Sequence, residues 1–296
     1  MTSPSVAVDP SAKVDPGPPP RKSRPAQRLL HNIGWYGSAL LLFLFIAVPI
    51  YLIFVSAVST REAFFAYPKA LIPTPDTISL ANIELLFTTP GVIDAFWRSV
   101  IVGVITVVLA LGVGAPAGYA IARFAFRGRD GYRLVVLATR AFPIVILSIP
   151  LAVTFRNFGI DDSVIGVAIV HTALTLPFVI LITSSVFVSI PRELEEAAQT
   201  LGCSPWRAFL KISLPLALPG LVAAAIFTWV LSWNDVFAAS ILTVINQTLP
   251  AKILVGLSAA PPALRFAAGF ILLVPSLIVI FIIRRYLLGL WGRVVK

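Results

Sequence analysis

The sequence predicts an all-α fold: a polytopic membrane protein with six transmembrane helices. Three observations lead there. The chain is 58% hydrophobic and only 12% charged, where a soluble domain carries roughly 25% charged residues. Six stretches, 35–58, 99–122, 134–155, 165–188, 216–242 and 266–288, are apolar over a span's length, about 20 residues for roughly 30 Å of hydrocarbon. These runs are continuous rather than alternating, which excludes barrel strands and leaves helices, which satisfy their own backbone in lipid.

Residues 1–34 come first and hold seven prolines, from Pro4 to Pro25, among scattered charges. That composition reads as a disordered cytoplasmic tail. No short apolar run with a small-residue cleavage site precedes the first span, so the segment is not read as a signal peptide. With both ends and the even-numbered connections inside, the inner segments carry sixteen basic residues against six acids, and the outer ones six of each. The formal charge of +10 is therefore a topological signal, as the positive-inside rule expects. Anionic headgroups suffice as its counter-charge, and no nucleic acid is implied.

The first outer segment is the longest connection and contains Pro68, Pro73, Pro75 and Pro90, with a short amphipathic helix expected near 80–87. Within the second span Gly114 and Gly118 stand four apart, a spacing that permits close helix approach. Pro116, Pro143, Pro150, Pro177, Pro219 and Pro275 are expected to kink their spans. One cysteine, Cys203, excludes an internal disulfide, and two distant histidines, His31 and His171, offer no metal cluster.

The most informative stretch is the polar segment 189–215 before the fifth span. Pro191 suits a first helical turn, and Glu193, Glu195 and Glu196 follow near the positive end of that helix. Leu194, Ala197, Ala198 and Leu201 fall on one face. Gly202 provides the stop. Ser204-Pro205 restarts a helix as N-cap and first residue, with Trp206, Phe209 and Leu210 as a second apolar face. Leu214-Pro215 and Pro219 are expected to interrupt the chain before the span. A hairpin lying on the membrane surface is the simpler alternative. Three glutamates in four positions suit anionic lipid poorly, and the thin face of Ala197 and Ala198 suits close protein packing.

Glu196-Ala197-Ala198, three residues, Gly202, nine residues, then Ile212-x-Leu214-Pro215 resembles the EAA loop of bacterial ABC-importer permeases. The likeness extends to 114–129 (GAPAGYAIARFAFRGR), 190–198 (IPRELEEAA), Trp233-Asn234-Asp235 and the ending Gly289-Leu290-Trp291-Gly292, all similar to maltose-type sugar permeases. It covers roughly 35–296 and implies the six-helix type I importer fold with both termini cytoplasmic. It departs at Leu201, where the family usually has an acid, at Arg98-Ser99 in place of Asn-Ser, and at Arg140 in place of a glutamine.

That resemblance implies a transport subunit rather than an enzyme. The chain has no G-x-x-x-x-G-K-[ST] to cradle phosphates, so it binds no cofactor and has no catalytic residue. ATP and Mg²⁺ belong to partner ATPase subunits, which dock at the coupling loop through Glu195, Glu196, Ala197, Ala198, Leu201, Gly202, Trp206, Phe209, Ile212, Leu214 and Pro215. Further implied partners are a homologous second permease, a second copy of the ATPase and an extracytoplasmic solute-binding protein, the last touching Leu257, Ser258, Ala259 and Ala260. The implied cargo is a sugar, oligosaccharide or polyol, with glycerol 3-phosphate as an example of the alternative. Charge in hydrocarbon is costly, which makes Arg140, Asn234 and Asp235 candidates for the translocation pathway. His171 is read as an interhelical hydrogen-bonder. A secondary transporter would normally carry several coupling carboxylates within its spans, where only Asp235 qualifies, and a membrane scaffold has no need of this loop.

Overall fold

Pro25 opens the first helix, α1 (Pro25–Ala57), in a computed structural model that describes residues 25–69 and 71–294, with side chains over 31–69 and 71–282. The helix thus takes in 25–34, assigned above to the tail, while residues 1–24 lie outside the described residues. The chain divides after Ile50 into two compact units. In the first, α1 exposes Trp35, Leu41, Phe43 and Phe45. A helix apolar all round in this way belongs in lipid or among other helices.

The second unit runs from Tyr51. After α1 come α2 (Arg61–Phe65), capped by Thr60, which accepts from the Ala63 N–H at 3.3 Å, and α3 (Ala81–Thr88), which buries Leu86. The latter falls where the sequence led to the expectation of a short helix, near 80–87. Next are α4 (Val92–Arg123), α5 (Arg129–Ala138), α6 (Ile144–Asn157) and α7 (Val164–Val188). The coupling segment forms α8 (Glu193–Thr200) and α9 (Pro205–Ala208), followed by α10 (Leu214–Asn234) and α11 (Phe237–Leu242). The last two are α12 (Leu249–Gly256) and α13 (Pro262–Val294). The side chains of the Gly289–Trp291 ending fall in α13 outside the described ones.

Among the described residues five helices are long and apolar enough to cross a membrane, and six if one bent pair counts as a single span. That pair corrects the third expected span, 134–155. It is two pieces, Arg129–Ala141 and Ile144–Asn157, meeting at 87°. The break lies at Phe142, extended at φ −81°, ψ 118°, because the ring of Pro143 disfavours helical geometry in the residue before it. The fifth span, expected to reach 242, ends at Asn234. Asp235 is extended there, and its Oδ1 accepts from the Ala238 N–H at 3.0 Å, a local bond that competes with helix continuation. Pro116, Pro150, Pro177, Pro219 and Pro275 lie inside helices that continue through them.

The centre of the second unit is α4, α7 and α10, with α4 and α7 the most extensively packed pair. Gly118 makes this approach possible. A methyl group there would stand 2.8 Å from the Ser184 nitrogen and 3.0 Å from the Ile180 oxygen, and against Thr183 Oγ1. Thr183 Oγ1 in turn donates to the Gly114 carbonyl at 3.0 Å. The small-residue pair read from the sequence is therefore a helix–helix seam. One apolar cluster, with Phe187, Ile190, Phe209 and Leu221, lies beneath the coupling segment. Another, with Leu86, Trp233, Leu249 and Leu257, lies under the connections at the opposite ends of α4 and α10.

Candidate coupling site and membrane cavity

The coupling segment begins where Arg192 offers its carbonyl to the N–H groups of Glu195 and Glu196 at 3.0 and 3.1 Å. Pro191 therefore precedes α8 rather than sitting in its first turn. The helix ends at Gly202, whose φ is +91°. Its N–H donates to the Gln199 carbonyl at 2.9 Å, and the next N–H, of Cys203, to the Ala198 carbonyl at 3.0 Å. These two bonds make a Schellman stop, which requires a left-handed residue and so favours glycine. Ser204 then caps α9, accepting from the Arg207 N–H at 3.4 Å, with Pro205 in the first turn.

The chain does not break after α9. A π-helical turn over Phe209–Ser213 joins it to α10, giving one helix from Pro205 to Asn234. The interruption expected at Leu214-Pro215 is absent because the wider turn hands the Leu214 N–H to the Phe209 carbonyl, and Pro215, which has no N–H to place, follows directly where the register has shifted by one residue. Such π turns recur at functional sites.

Of the glutamates, Glu195 turns inward and Glu196 outward. Glu195 Oε1 lies 2.7 Å from both Nε and Nη2 of Arg123 and accepts from Ser213 Oγ at 2.5 Å. Its Oε2 accepts from Tyr119 Oη at 2.6 Å. Arg123 also donates to the Ile190 carbonyl at 3.0 Å. Both side chains of the pair are only 7% exposed. Burial pushes the Glu195 carboxyl up, but the bonds from Ser213, Tyr119 and Arg123, with the Arg123 charge, outweigh it and hold the group below its ordinary value. One carboxylate thereby ties α8 to the end of α4 and the start of α10.

The remaining coupling-loop candidates separate into two sets. Glu196, Ala197, Leu201, Gly202, Trp206 and Pro215 are exposed, Leu201 by 87% and Trp206 by 61%. Ala198, Ile212 and Leu214 are half-buried. Phe209, from the second apolar face, packs inward. It is buried, its ring centroid 4.5 Å from that of Tyr119 and 5.9 Å from that of Phe187. With it inside, Leu194, Leu201 and Trp206 remain as exposed apolar side chains on a firmly held hairpin. Tyr119, Arg123 and Ser213 were not singled out in the sequence; a buried acid beside basic run ends is the signal that points to them.

A second site opens inside the membrane region. A cavity of about 250 Å³ is lined by Arg140, Phe142, His171, Thr175, Ser232 and Asp235, among others. The α5–α6 break places Arg140 at its wall, donating to the Leu174 carbonyl at 2.8 Å with its guanidinium 4.7 Å from the centre of the Phe178 ring. Asp235 faces it from the end of α10. His171 bridges α7 and α10 through Nδ1 and Ser232 Oγ at 2.8 Å, and its Nε2 is 3.3 Å from Asp235 Oδ1. The structure thus brings Arg140 and Asp235 into one cavity. It leaves Asn234 outside, donating to the Val230 carbonyl at 2.8 Å and Ser276 Oγ at 3.4 Å.

In the connection that precedes α13, Leu257 packs inward at 8% exposure, so of its group only Ser258 and Ala259 are exposed, with Ala260 half-buried. The connection is pinned elsewhere. Asp162 Oδ1 accepts from the backbone of Val244, Ile245 and Asn246 at 2.8, 3.1 and 3.0 Å, and Ser99 Oγ accepts from the Leu249 N–H at 2.7 Å.

Residues 110–288 match the family described as binding-protein-dependent transport system inner membrane component. The chain is 34% identical to the trehalose transport system permease protein of Mycobacterium tuberculosis over 75% of its own length and 84% of that relative. It is 33% identical to the molybdate/tungstate transport system permease protein of Thermococcus kodakarensis, over 84% and 96%. A bacterial ABC transporter involved in importing the acidic polysaccharide alginate contains a chain with the same fold. The TM-score is 0.69 at 21% identity, covering 90% of this chain and 99% of that one. In this family the membrane chain forms the passage and a separate subunit hydrolyses ATP. The matched stretch, which covers more than half of the chain, and the identity to the permease relatives place this chain among the inner membrane components of binding-protein-dependent transport systems, the permeases of bacterial ABC importers.

Proposed function

We propose that this permease admits a sugar, oligosaccharide or polyol, and that residues 189–215 receive its ATPase subunit. One observation carries the docking. Leu194, Leu201 and Trp206 stand exposed on a hairpin that Glu195 fastens to α4 and α10. An apolar surface held this rigidly suits a protein groove, and a displacement of α8 is delivered to α4 through the Glu195–Arg123 pair and to the start of α10 through the Ser213–Glu195 hydrogen bond. Glu196, Ala197, Ala198, Gly202 and Pro215 complete the contact surface, while Phe209, Ile212 and Leu214 back it from within.

The working assembly has this chain, a homologous second permease, two ATPase subunits that hold ATP and Mg²⁺, and an extracytoplasmic solute-binding protein. The coupling hairpin and both termini lie in the cytoplasm, and Ser258 to Ala260 face the binding protein. Arg140 and Asp235 line the passage, with Asn234 bracing α10 beside it.

The relative named for trehalose supports a sugar cargo. The relative named for molybdate and tungstate, together with the Arg140 guanidinium on the cavity wall, favours an oxyanion as the second reading, with glycerol 3-phosphate sharing features of both. Purified permease should capture an ATPase subunit, and Gly202→Asp should lose it. With the assembly in vesicles, ATPase activity driven by binding protein loaded with trehalose, glycerol 3-phosphate or molybdate decides the cargo. Stimulation by molybdate alone would overturn the sugar assignment.

A further inference from the structure

Beside the coupling hairpin lies a second cavity, of about 450 Å³, lined by Arg123, Arg129, Arg192 and Glu193 with Ala122, Val188, Ile190 and Pro191. It sits where two of the helices long and apolar enough to cross a membrane end, α4 at Arg123 and α7 at Val188. Its three guanidinium groups are unequally occupied. Arg123 is committed to Glu195 and the Ile190 carbonyl. Arg192 donates to the Ala122 carbonyl at 3.1 Å, which leaves further donors of its fork free. Arg129 Nε is buried with no hydrogen-bond partner. No ion pair among the described residues joins Glu193 to Arg129 or Arg192.

We propose that this cavity binds the phosphate of an anionic phospholipid. Two guanidinium groups from different segments converge on one space, and their planar forks match the tetrahedral oxygens of a phosphate diester. Arg129 lines the space and its guanidinium has an Nε without a partner; a buried donor without a partner is costly, and a phosphate drawn between the two forks brings acceptor oxygens beside that guanidinium. Ala122, Val188, Ile190 and Pro191 give the same space an apolar wall, which suits the glycerol and first methylenes of a lipid better than free phosphate. Because Arg192 and Glu193 open α8, the lipid bears directly on the hairpin's first turn.

The test uses the whole transporter in nanodiscs of phosphatidylcholine with and without phosphatidylglycerol, followed by native mass spectrometry of retained lipid. The wild type should retain phosphatidylglycerol in preference to phosphatidylcholine, and Arg129→Gln should reduce that retention severalfold. Glu193→Gln, which removes the one acid on the wall, should increase it, so the proposal does not hang on a variant that folds poorly. Arg133→Gln is the control for bulk charge, since Arg133 pairs with Asp130 and does not line the cavity. Equal retention of both lipids, unchanged retention in Arg129→Gln, or an equal loss in Arg133→Gln would overturn the site. Protection by inorganic phosphate in phosphatidylcholine discs, without lipid preference, would also overturn it and assign the cavity to the free ion.

Discussion

Glu195 and Arg123 stand 72 residues apart in the chain and meet at 2.7 Å, each side chain 7% exposed. Removing one member of a buried pair strands the other charge, at a cost of about 3–5 kcal/mol. Glu195→Ala should therefore lower the thermal midpoint and uncouple ATP hydrolysis from uptake. Glu195→Gln, which keeps one acceptor oxygen for either Ser213 or Tyr119 and turns its amide NH2 to the other hydroxyl, should retain more of both. Thermal melts and paired ATPase and uptake assays read the difference; equal behaviour of Glu195→Ala and wild type would dismiss the tether.

The same carboxylate sets a pH dependence. Its folded pKa lies below the ordinary carboxylate value of 4.5, so its contribution to stability is fully present above that value and is lost as pH falls through the folded pKa. The midpoint gap between wild type and Glu195→Gln should hold from neutral pH to about 4.5 and narrow below it. A gap that is constant down to pH 3 would contradict the sign.

Gly202 separates folding from docking. A Cβ placed there meets nothing within 4 Å among the described residues, so the penalty within the subunit is the left-handed backbone, on the order of 1–2 kcal/mol. Gly202→Asp should insert and melt nearly as wild type yet fail to hold the ATPase and fail in uptake. Glu196→Ala, which trims one exposed charge, should reduce uptake moderately. Normal transport by Gly202→Asp would remove the hairpin from the coupling role.

Gly118 tests the opposite case, a glycine needed inside the fold. Because a methyl group there meets the backbone of Ser184 and Ile180, relief requires separating α4 from α7. Gly118→Val should cost at least the 1–3 kcal/mol typical of overpacking and lower the yield of membrane-extracted protein. Quantitative blotting and fluorescence size exclusion measure this; wild-type yield would argue against the seam.

The cavity prediction concerns Arg140 and Asp235. Asp235→Asn retains an acceptor for the Ala238 N–H but removes the charge beside His171 in the cavity that Arg140 also lines, so it should alter transport more than stability. Arg140→Gln should shift preference among neutral and anionic cargoes. Competition uptake assays provide the readout, and unchanged selectivity in both variants would take these residues off the pathway.

Local chemistry alone determined a good deal of this protein. Uninterrupted apolar runs specify membrane helices because backbone groups in lipid must pair within their own segment. The spacing from Glu196 to Pro215 carries the hairpin, since Gly202 and Ser204-Pro205 act through their own backbone sterics. Gly114 and Gly118 showed a seam for the same reason, their lack of side chains. The tertiary structure decided the rest. It alone chose Glu195 over Glu196 for the inward tether, because the choice depends on Tyr119 and Arg123, on a helix that the chain leaves long before. It turned Phe209 and Leu257 inward, against clusters assembled from several helices. It broke the third span at Phe142 and ended the fifth at Asp235, and those two breaks bring Arg140 and Asp235 to one cavity. Hydropathy records how apolar a stretch is. Which side of a helix finds a partner is set by residues tens of positions away, whose contacts form only when the helices pack.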